Sequence, residues 1–253
     1  MKLFILLPTY NEAQALLPLF KRIKAMVDDL KVDYEVIVYN DGSTDSTLDI
    51  LHENIYGLSL TVIGKQQNKG LGFAFQELLK EIVDRSSGED DIAIVFDSDN
   101  THNPAHVFHM INKIRDGFDV VIASRYRSDS RVVGLSHFRQ FLSLAASWIM
   151  RVIFPIKGIK DYTCGYRAYS IEILNKAFEQ YGDSLIEETG FACMAELLIK
   201  LRALKVLAVE IPIILRYDKK GGESKMKILQ TIKRTIFMML KLKKITTRIR
   251  NQV

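Results

Sequence analysis

The stretch that decides the fold is IAIVFDSD, residues 92–99. Five successive apolar residues, Ile92 to Phe96, are typical of a short strand buried on both faces of a sheet. The run ends abruptly in two carboxylates, Asp97 and Asp99, with one serine between them. Because two like charges repel each other, this position calls for a partner of opposite charge. The stretch therefore predicts a buried strand with a polar site at its carboxyl end.

Strands and helices alternate on both sides of this stretch. The other predicted strands are short and rich in Val, Ile and Leu: LFILLP (3–8), YEVIVYND (34–41), LTVIGK (60–65) and DVVIASRY (119–126). Helical apolar spacing lies between them, over residues 12–30, 44–53, 70–83 and 104–114. This alternation predicts an α/β fold, in which a mostly parallel sheet has helices on both faces.

Polar residues follow four of the five predicted strands. The strand ends carry PTYNE (8–12), NDGS (40–43), DSD (97–99) and SRY (124–126). Parallel sheets bind their ligands outside the carboxyl ends of the strands. We therefore expect these groups to gather at one rim of the sheet and to form a site with the acidic pair.

The acidic pair is suited to a divalent cation. Two carboxylates one residue apart at a strand end can both face Mg²⁺ or Mn²⁺, which prefers oxygen ligands and often shares them with a diphosphate. Such an ion cancels the repulsion between Asp97 and Asp99 and stabilises charge on a leaving phosphate. A solvated turn or a helix N-cap is the structural alternative. The polar groups at the other strand ends favour the metal site.

Composition is that of a folded protein and excludes disordered and fibrous classes. The chain has 253 residues, of which 48% are hydrophobic and 26% charged. Cys164 and Cys193 show no metal-type pairing and suit a reducing compartment. Met1 and Lys2 lead straight into a strand-like segment, so we expect no secretory leader. The apolar segment FLSLAASWIM (141–150) is too short to span a bilayer and predicts either an interfacial helix or a core helix.

Positive charge is concentrated in the tail. Residues 224–253 contain nine Lys/Arg and no Asp/Glu, and subtracting these nine from the overall net charge of +5 leaves −4 for residues 1–223. The alternation of basic and apolar residues in KILQTIKRTIFMMLKLKKITTRI (227–249) predicts a basic amphipathic helix. We therefore expect a catalytic domain over 1–223 and a tail over 224–253. The tail helix either packs on the core or contacts an anionic membrane or a partner.

Six ordered motifs resemble those of the family 2 glycosyltransferases. They are LLPTYNE (6–12), NDGSTDST (40–47), NKGLGFA (68–74), FDSDNTHNP (96–104), ASRY (123–126) and GGESKMK (221–227). SRY, FRQFLS (138–143) and GESK (222–225) favour the dolichol- or polyprenyl-phosphate mannose (hexose) synthases. The resemblance covers residues 1 to about 230. It implies a nucleotide-sugar-binding domain of the glycosyltransferase A type, which is Rossmann-like.

The resemblance also implies residues for the nucleotide-sugar side. Those that would bind the donor are Pro8, Tyr10, Glu12, Asp41, Lys69, Asp97, Ser98, Ser224 and Lys225. Pro8, Tyr10, Glu12 and Asp41 would hold the nucleoside, and Lys69 would approach the diphosphate. Ser224 and Lys225 would belong to a loop that closes over the phosphates. Asp97 and Asp99 would carry Mg²⁺ or Mn²⁺.

Two positions depart from the family pattern. Members of the family often have a glutamine two residues after the second Asp as a further metal ligand, and here that residue is Thr101. The third protein ligand is therefore open. An arginine that often precedes GES is Gly221 here, and Lys219 or Lys220 is the available replacement.

The acceptor side needs cations if the acceptor is a lipid phosphate. A phosphate monoester is largely anionic at pH 7 and attacks without a protein base, whereas a sugar hydroxyl requires a positioned Asp, Glu or His. By resemblance, Arg125 and Arg139 would bind the acceptor phosphate, with Ser143 as a neutral donor one helical turn after Arg139. Asp99, Arg125 and Arg139 are the predicted catalytic residues. Structural ion pairs are the alternative for both arginines.

The resemblance implies inverting, metal-dependent transfer of a hexose from a GDP- or UDP-sugar to a polyprenyl or dolichyl phosphate. GDP-mannose is the first choice of donor. The protein would act at the cytoplasmic face of a membrane, through peripheral contact or a separate membrane subunit, and without a nucleic-acid partner. Two alternatives stay open: transfer to a glycan hydroxyl in capsule or lipopolysaccharide assembly, and a non-catalytic module that binds nucleotide sugars.

Overall fold

The computed structural model describes residues 1–220 and 228–250, with side chains described through residue 243. The strands are β1 Lys2–Thr9, β2 Asp33–Asp41, β3 Leu60–Lys65, β4 Ile92–Val95, β5 Val120–Ser124, β6 Arg131–Val133, β7 Arg167–Ser170, β8 Ala208–Pro212 and β9 Ile214–Arg216. The helices are α1 Ala13–Leu30, α2 Thr47–Glu53, α3 Leu71–Arg85, α4 Val107–Arg115, α5 His137–Ile153, α6 Ile171–Tyr181, α7 Cys193–Ala203 and α8 Ile228–Arg250.

Seven strands form one sheet in the order β3-β2-β1-β4-β7-β5-β8. Neighbouring strands are parallel except at β7, which runs antiparallel to both β4 and β5. The short strands β6 and β9 pair separately, in parallel. The predicted α/β fold with a mostly parallel sheet is therefore confirmed.

The core lies on both faces of the sheet because the central strands are apolar throughout. Residues 3–7 of β1 and all four residues of β4 are at most 1% exposed. Burial of each such side chain stabilises the fold by about 1.5–3 kcal/mol. Helix α3 packs on β1 and β2 and contacts α6 and α7, whereas α4 packs on β5 and β7.

Two predicted boundaries differ from the structure. The strand predicted over 92–99 ends at Val95, because the chain turns through Asn100, whose φ of 62° is left-handed. The helix predicted from Pro104 begins as one 3₁₀ turn, in which Asn103 Oδ1 accepts the N–H of Ala105 at 3.2 Å. The α-helix α4 starts only at Val107.

Two helices leave large apolar side chains exposed. On α5, only Ser147 and Met150 are buried, and its exposed apolar residues include Phe138, Phe141, Leu144, Trp148 and Val152. On α8, Met238, Met239 and Leu242 are buried, and the exposed apolar residues are Leu229, Ile232, Ile236, Phe237 and Leu240. Within residues 1–220 and 228–250, none of the helices combines the length and apolar character that crossing a bilayer requires.

Candidate functional site

The carboxyl ends of β1, β2 and β4 meet at one edge of the sheet, as the strand order requires. Ser98 connects two of these ends. Its Oγ donates to the carbonyl oxygen of Pro8 at 2.9 Å and lies 2.6 Å from Thr9 Oγ1. Because Ser98 is buried with both partners, it fixes the turn after β4 against the end of β1.

The two carboxylates of the turn have different surroundings. Asp99 has 9% of its side chain exposed, and its Oδ1 accepts the Thr101 N–H at 3.1 Å and the Thr101 hydroxyl at 2.6 Å. The ammonium of Lys220 pairs with Asp99 Oδ2. Asp97 keeps 39% of its side chain exposed. Hydrogen bonds and the Lys220 ion pair therefore hold the Asp99 carboxylate in place, whereas the Asp97 carboxylate remains accessible to solvent.

These surroundings separate the pKa values of the two groups. Partial removal of Asp97 from water, followed by the charge of Asp99, raises the pKa of Asp97 to about 7. Burial would also raise the pKa of Asp99, but the charge and hydrogen bond of Lys220 outweigh it and lower that pKa. A cation beside this pair therefore favours the form in which Asp99 is ionised.

Residues far away in sequence shape this turn. Arg22 of α1 donates to Asn100 Oδ1 at 2.7 Å and to Asn103 Oδ1 at 2.9 Å. The buried His102 accepts the backbone N–H of Asp97 on its Nδ1 at 3.3 Å. The role of Arg22 was not predicted from the sequence, because no spacing in the chain connects it to a loop some 80 residues later.

The residues present fit a hard divalent cation. Lys220 already places a cationic group on Asp99, and Asp97 offers a second, accessible carboxylate. Among the described side chains, no three His, Cys, Asp or Glu form a cluster that could hold a metal alone. The donor set is therefore that of Mg²⁺ or Mn²⁺ completing its coordination with phosphate oxygens and water. Thr101 orients Asp99 through its hydroxyl, which is a different task from that of the glutamine it replaces.

One predicted nucleoside residue, Asp41, is bonded to a glycine-rich loop. Asp41 is buried, and its two carboxylate oxygens accept the N–H groups of Lys69 and Gly70, each at 2.8 Å. The turn after β2 is closed by Asn40, whose Oδ1 accepts the Ser43 N–H at 3.2 Å. Asp41 thus connects the end of β2 to the loop over 69–70. The side chain of Lys69 is exposed, with Nζ 4.6 Å from the centroid of the Phe73 ring.

The other predicted donor residues lie at the same rim or outside the described chain. Pro8 and Glu12 are buried and Tyr10 is half-buried. The backbone N–H of Glu12 donates to Thr47 Oγ1 at 2.8 Å. Ser224 and Lys225 fall outside the described residues.

Arg125 lies in a buried ion pair, which is the structural alternative that the sequence left open for it, although its partner Asp161 was not predicted. Its Nε and Nη2 donate to the two carboxylate oxygens of Asp161 at 2.8 and 2.7 Å, and Nη2 also donates to Thr163 Oγ1 at 2.6 Å. Burial opposes this pair, but the mutual attraction lowers the pKa of Asp161 and raises that of Arg125. Its Nη1 has no hydrogen-bond partner among the described residues. Because β4 and β5 both run antiparallel to β7, which lies between them, Asp97 and Arg125 follow strand ends at the same edge of the sheet.

A chain of hydroxyl groups connects Arg125 to α5. Thr163 Oγ1 lies 3.3 Å from Ser143 Oγ, which accepts the Tyr126 hydroxyl at 3.2 Å. Arg139 lies four residues before Ser143 on the same helix and is half-buried. Among the side chains that the structure describes, none forms an ion pair with the guanidinium of Arg139. The structure therefore joins Arg125 to Ser143 through Thr163 and places Arg139 near them only by helical register.

A family of known proteins matches most of this chain, including the strand ends that form the site. Residues 4–178 match the family described as Glycosyl transferase family 2. The chain belongs to this family.

Similar sequences include a dolichol-phosphate mannosyltransferase of Pyrococcus furiosus, 32% identical over 90% of this chain and 60% of the relative. An undecaprenyl-phosphate mannosyltransferase of Micrococcus luteus is 27% identical over 89% of this chain and 88% of the relative. The chain thus spans 60% of the length of the first of these.

A glucosyl-3-phosphoglycerate synthase from Mycobacterium tuberculosis, solved with Mn²⁺, UDP and phosphoglyceric acid, has a similar fold. The TM-score is 0.67 at 22% identity, over 96% of this chain and 78% of that one.

Proposed function

We propose that this glycosyltransferase transfers a hexose from a nucleotide sugar to a polyprenyl or dolichyl phosphate, with inversion at the anomeric carbon. The observation that carries the proposal is that the Asp97–Asp99 pair and Arg125 follow the carboxyl ends of β4 and β5 at the same edge of the sheet. The acidic pair suits a metal-bound diphosphate, and the arginine suits an incoming phosphate. The names of the sequence relatives support a polyprenyl-phosphate acceptor and a mannosyl donor, for which GDP-mannose is the first choice.

On the donor side, Asp97 and Asp99 would hold Mg²⁺ or Mn²⁺. The M. tuberculosis synthase of similar fold, which was solved with Mn²⁺ and UDP, supports this assignment. When bound, the ion supplies positive charge against the leaving diphosphate. Thr101 keeps the Asp99 carboxylate in a single orientation. The loop fixed by Asp41 brings Lys69 to the rim, where its ammonium would approach the diphosphate.

On the acceptor side, Arg125 would bind the lipid phosphate through the edge of its guanidinium that Asp161 leaves unoccupied. The Asp161 pair prevents the arginine from rotating, so its orientation is set before the acceptor arrives. Ser143 and Arg139 would add hydrogen bonds from α5. A phosphate oxygen then attacks the anomeric carbon while the nucleoside diphosphate leaves, and no protein base is required.

The surface of α5 supports an acceptor that is embedded in a membrane. Its exposed apolar residues recur every three or four positions, and Trp148 is 57% exposed. Between Asp129 and Asp161 the chain has five Lys/Arg and no acidic residue, which favours contact with anionic lipid. Ser143 lies on this same helix. We therefore propose peripheral contact with a membrane through α5, beside the acceptor phosphate.

A transfer assay tests the proposal. The protein is incubated with Mn²⁺ or Mg²⁺, a labelled GDP- or UDP-hexose, and either a short polyprenyl phosphate or a saccharide. We expect label in an acid-labile lipid product. Label in the saccharide would replace the proposal with the glycan alternative, and donor binding without turnover would favour the non-catalytic module.

A matched pair of variants ties the activity to the acidic pair. Asp99→Asn should reduce transfer by about 100-fold or more, because a fixed negative charge that serves the transition state is lost. Asp116→Asn, at an exposed aspartate that pairs with Lys113, should leave transfer unchanged. Full activity of the Asp99 variant in chelator would reject a metal role for the pair.

A further inference from the structure

Two basic residues of α8 are paired with the segment that precedes α7. Arg234 Nε lies 2.6 Å from Glu188 Oε1, and the same guanidinium donates to Thr189 Oγ1. Lys241 Nζ lies 2.8 Å from Glu187 Oε1. We call residues 187–189 the strap. Helix α8 is therefore joined to the strap at two points, seven residues apart on one face of the helix.

Two buried charged residues of α7, Glu196 and Lys200, fix the position of the strap. Glu196 Oε2 accepts the N–H groups of Glu187 and Glu188 at 3.0 and 2.7 Å. Its other oxygen pairs with Lys200 Nζ at 2.7 Å, and Lys200 also donates to the carbonyl oxygen of Ser184 at 2.5 Å. Both buried charges are thus paired and hydrogen-bonded, which gives the strap a defined position.

The strap lies directly on residues 69–72 of the donor side, the glycine-rich segment that includes the first two residues of α3 and that we call the 69–72 loop. The N–H of Gly72 donates to the carbonyl oxygen of Thr189 at 3.0 Å. A Cβ atom at Gly72 would lie 1.7 Å from the carbonyl oxygen of Glu188, and one at Gly70 would lie 2.5 Å from that of Thr189. Only glycine allows the strap and the loop to approach so closely.

The same loop is held on its other side by Asp41, which accepts the N–H groups of Lys69 and Gly70. The loop therefore lies between the end of β2 and the strap. A continuous series of contacts leads from Arg234, through Glu188 and Thr189, to Gly72 and then to Lys69.

We infer that Arg234 is a positioning residue of the donor site: by pairing with the strap, it fixes the loop over 69–72 that receives the nucleoside diphosphate. Arg234 acts through the strap and needs no contact with the donor. The inference rests on the proposed function for the identity of the ligand. It gives the basic C-terminal helix a role in donor binding in addition to any contact with a membrane.

Hydrogen–deuterium exchange of the intact chain tests the coupling without any ligand. In Arg234→Ala we expect the amides over 69–72 to exchange about tenfold faster, because local opening becomes easier when the strap is loosened. Lys233→Ala removes the neighbouring, exposed positive charge and serves as the control. Its exchange at 69–72 should equal that of the wild type. Equal exchange in the Arg234 variant would overturn the inference.

Titration with UDP or GDP in the presence of Mn²⁺ tests the consequence for the ligand. Arg234→Ala should weaken nucleotide binding about three- to tenfold, as expected for a partly exposed ion pair acting indirectly. Arg234→Lys keeps the charge but lacks the fork that reaches both Glu188 and Thr189, so it should restore binding in part. The KM for the acceptor should not change. Unchanged nucleotide affinity in Arg234→Ala contradicts the inference.

The two experiments separate this inference from the proposed function. If the wild type binds neither nucleotide with Mn²⁺, the proposed function fails, and exchange at 69–72 still decides whether Arg234 fixes the loop. Because Arg234 keeps 36% of its side chain exposed, we expect the alanine variant to fold.

Discussion

The ammonium of Lys220 lies against the carboxylate of Asp99 and forms an ion pair with its Oδ2. A cation of the chain itself therefore occupies one of the two carboxylates that suit a divalent ion. The same contact raises the pKa of Lys220 above its ordinary value, although burial acts in the opposite direction. A divalent ion that binds at this site, as we propose, would thus compete with Lys220 for the same oxygen.

Removing the charge of Lys220 should strengthen metal binding by the nucleotide-free protein. In Lys220→Met we expect the Kd for Mn²⁺ to fall about fivefold, because no ammonium has to be displaced from Asp99. Free Mn²⁺ can be followed in the titration by electron paramagnetic resonance. The control is Lys219→Met, at an exposed neighbour, which should bind as the wild type does. Identical affinities in the two variants would show that Lys220 does not compete.

The hydroxyl of Thr101 should matter for metal affinity although it is no ligand in our proposal. Thr101→Val keeps the shape of the side chain but leaves Asp99 Oδ1 without its bond of 2.6 Å. Loss of a group that orients a ligand typically weakens metal binding about 10- to 100-fold. Thr101→Ser retains the hydroxyl and should bind Mn²⁺ normally in a calorimetric titration. A normal Kd for the valine variant would contradict this role.

Arg139 should affect the acceptor and not the donor. In Arg139→Ala we expect the KM for polyprenyl phosphate to rise about tenfold, because the loss of one charge-assisted hydrogen bond weakens binding by about that factor. The KM for the nucleotide sugar should stay constant. Arg151→Ala changes another arginine of α5, in its last turn, and is the matched control. A rise in the KM for the nucleotide sugar, or equal effects of the two variants, would argue against an acceptor role.

The buried pair of Arg125 and Asp161 should make stability depend on pH at the acid end. Attraction to Arg125 lowers the pKa of Asp161 in the folded state. The ionised Asp161 therefore makes its full contribution to the free energy of unfolding at pH values above about 4, the pKa of an aspartate in the unfolded chain. The contribution is lost as the pH falls through the lower, folded pKa. Asp161→Asn leaves the charge of Arg125 buried without its partner and should reduce the free energy of unfolding by about 3–5 kcal/mol at pH 7.

Urea denaturation at several pH values measures this effect. The difference between the wild type and Asp161→Asn should shrink as the pH is lowered below about 4. Asp116→Asn, at an exposed carboxylate, should change the free energy of unfolding by less than about 0.5 kcal/mol. A constant difference down to the lowest pH would mean that Asp161 contributes through packing and not through its charge.

The sheet could be predicted from the sequence because its signals are local. Each central strand is an uninterrupted apolar run, and a polar cluster marks the point at which it ends. Parallel pairing then brings those clusters to one rim without further information. This is why Asp41, Asp97 and Asp99 could be assigned to one region of the molecule, whereas Lys69 was assigned to it by family resemblance.

Other parts depend on contacts that no local pattern encodes. The partner of Arg125 is Asp161, which is 36 residues away and comes from a segment with no strand or helix signal. Arg22 supports the turn after β4 from α1, which precedes that turn by more than one strand and helix in the chain. The pairing of Arg234 with Glu188 likewise requires that α8 be docked first. Such contacts follow from tertiary packing, so the sequence alone could not identify them.

The position of the antiparallel strand β7 limits the order in which the site can be assembled. It separates β4 from β5, and the segment leading into it supplies Asp161 and Thr163. A nascent chain that has left the ribosome only as far as β5 already carries Asp97, Asp99 and Arg125, but lacks the strand that bridges them. The ends of β4 and β5 can therefore be bridged only after Arg167–Ser170 has left the ribosome.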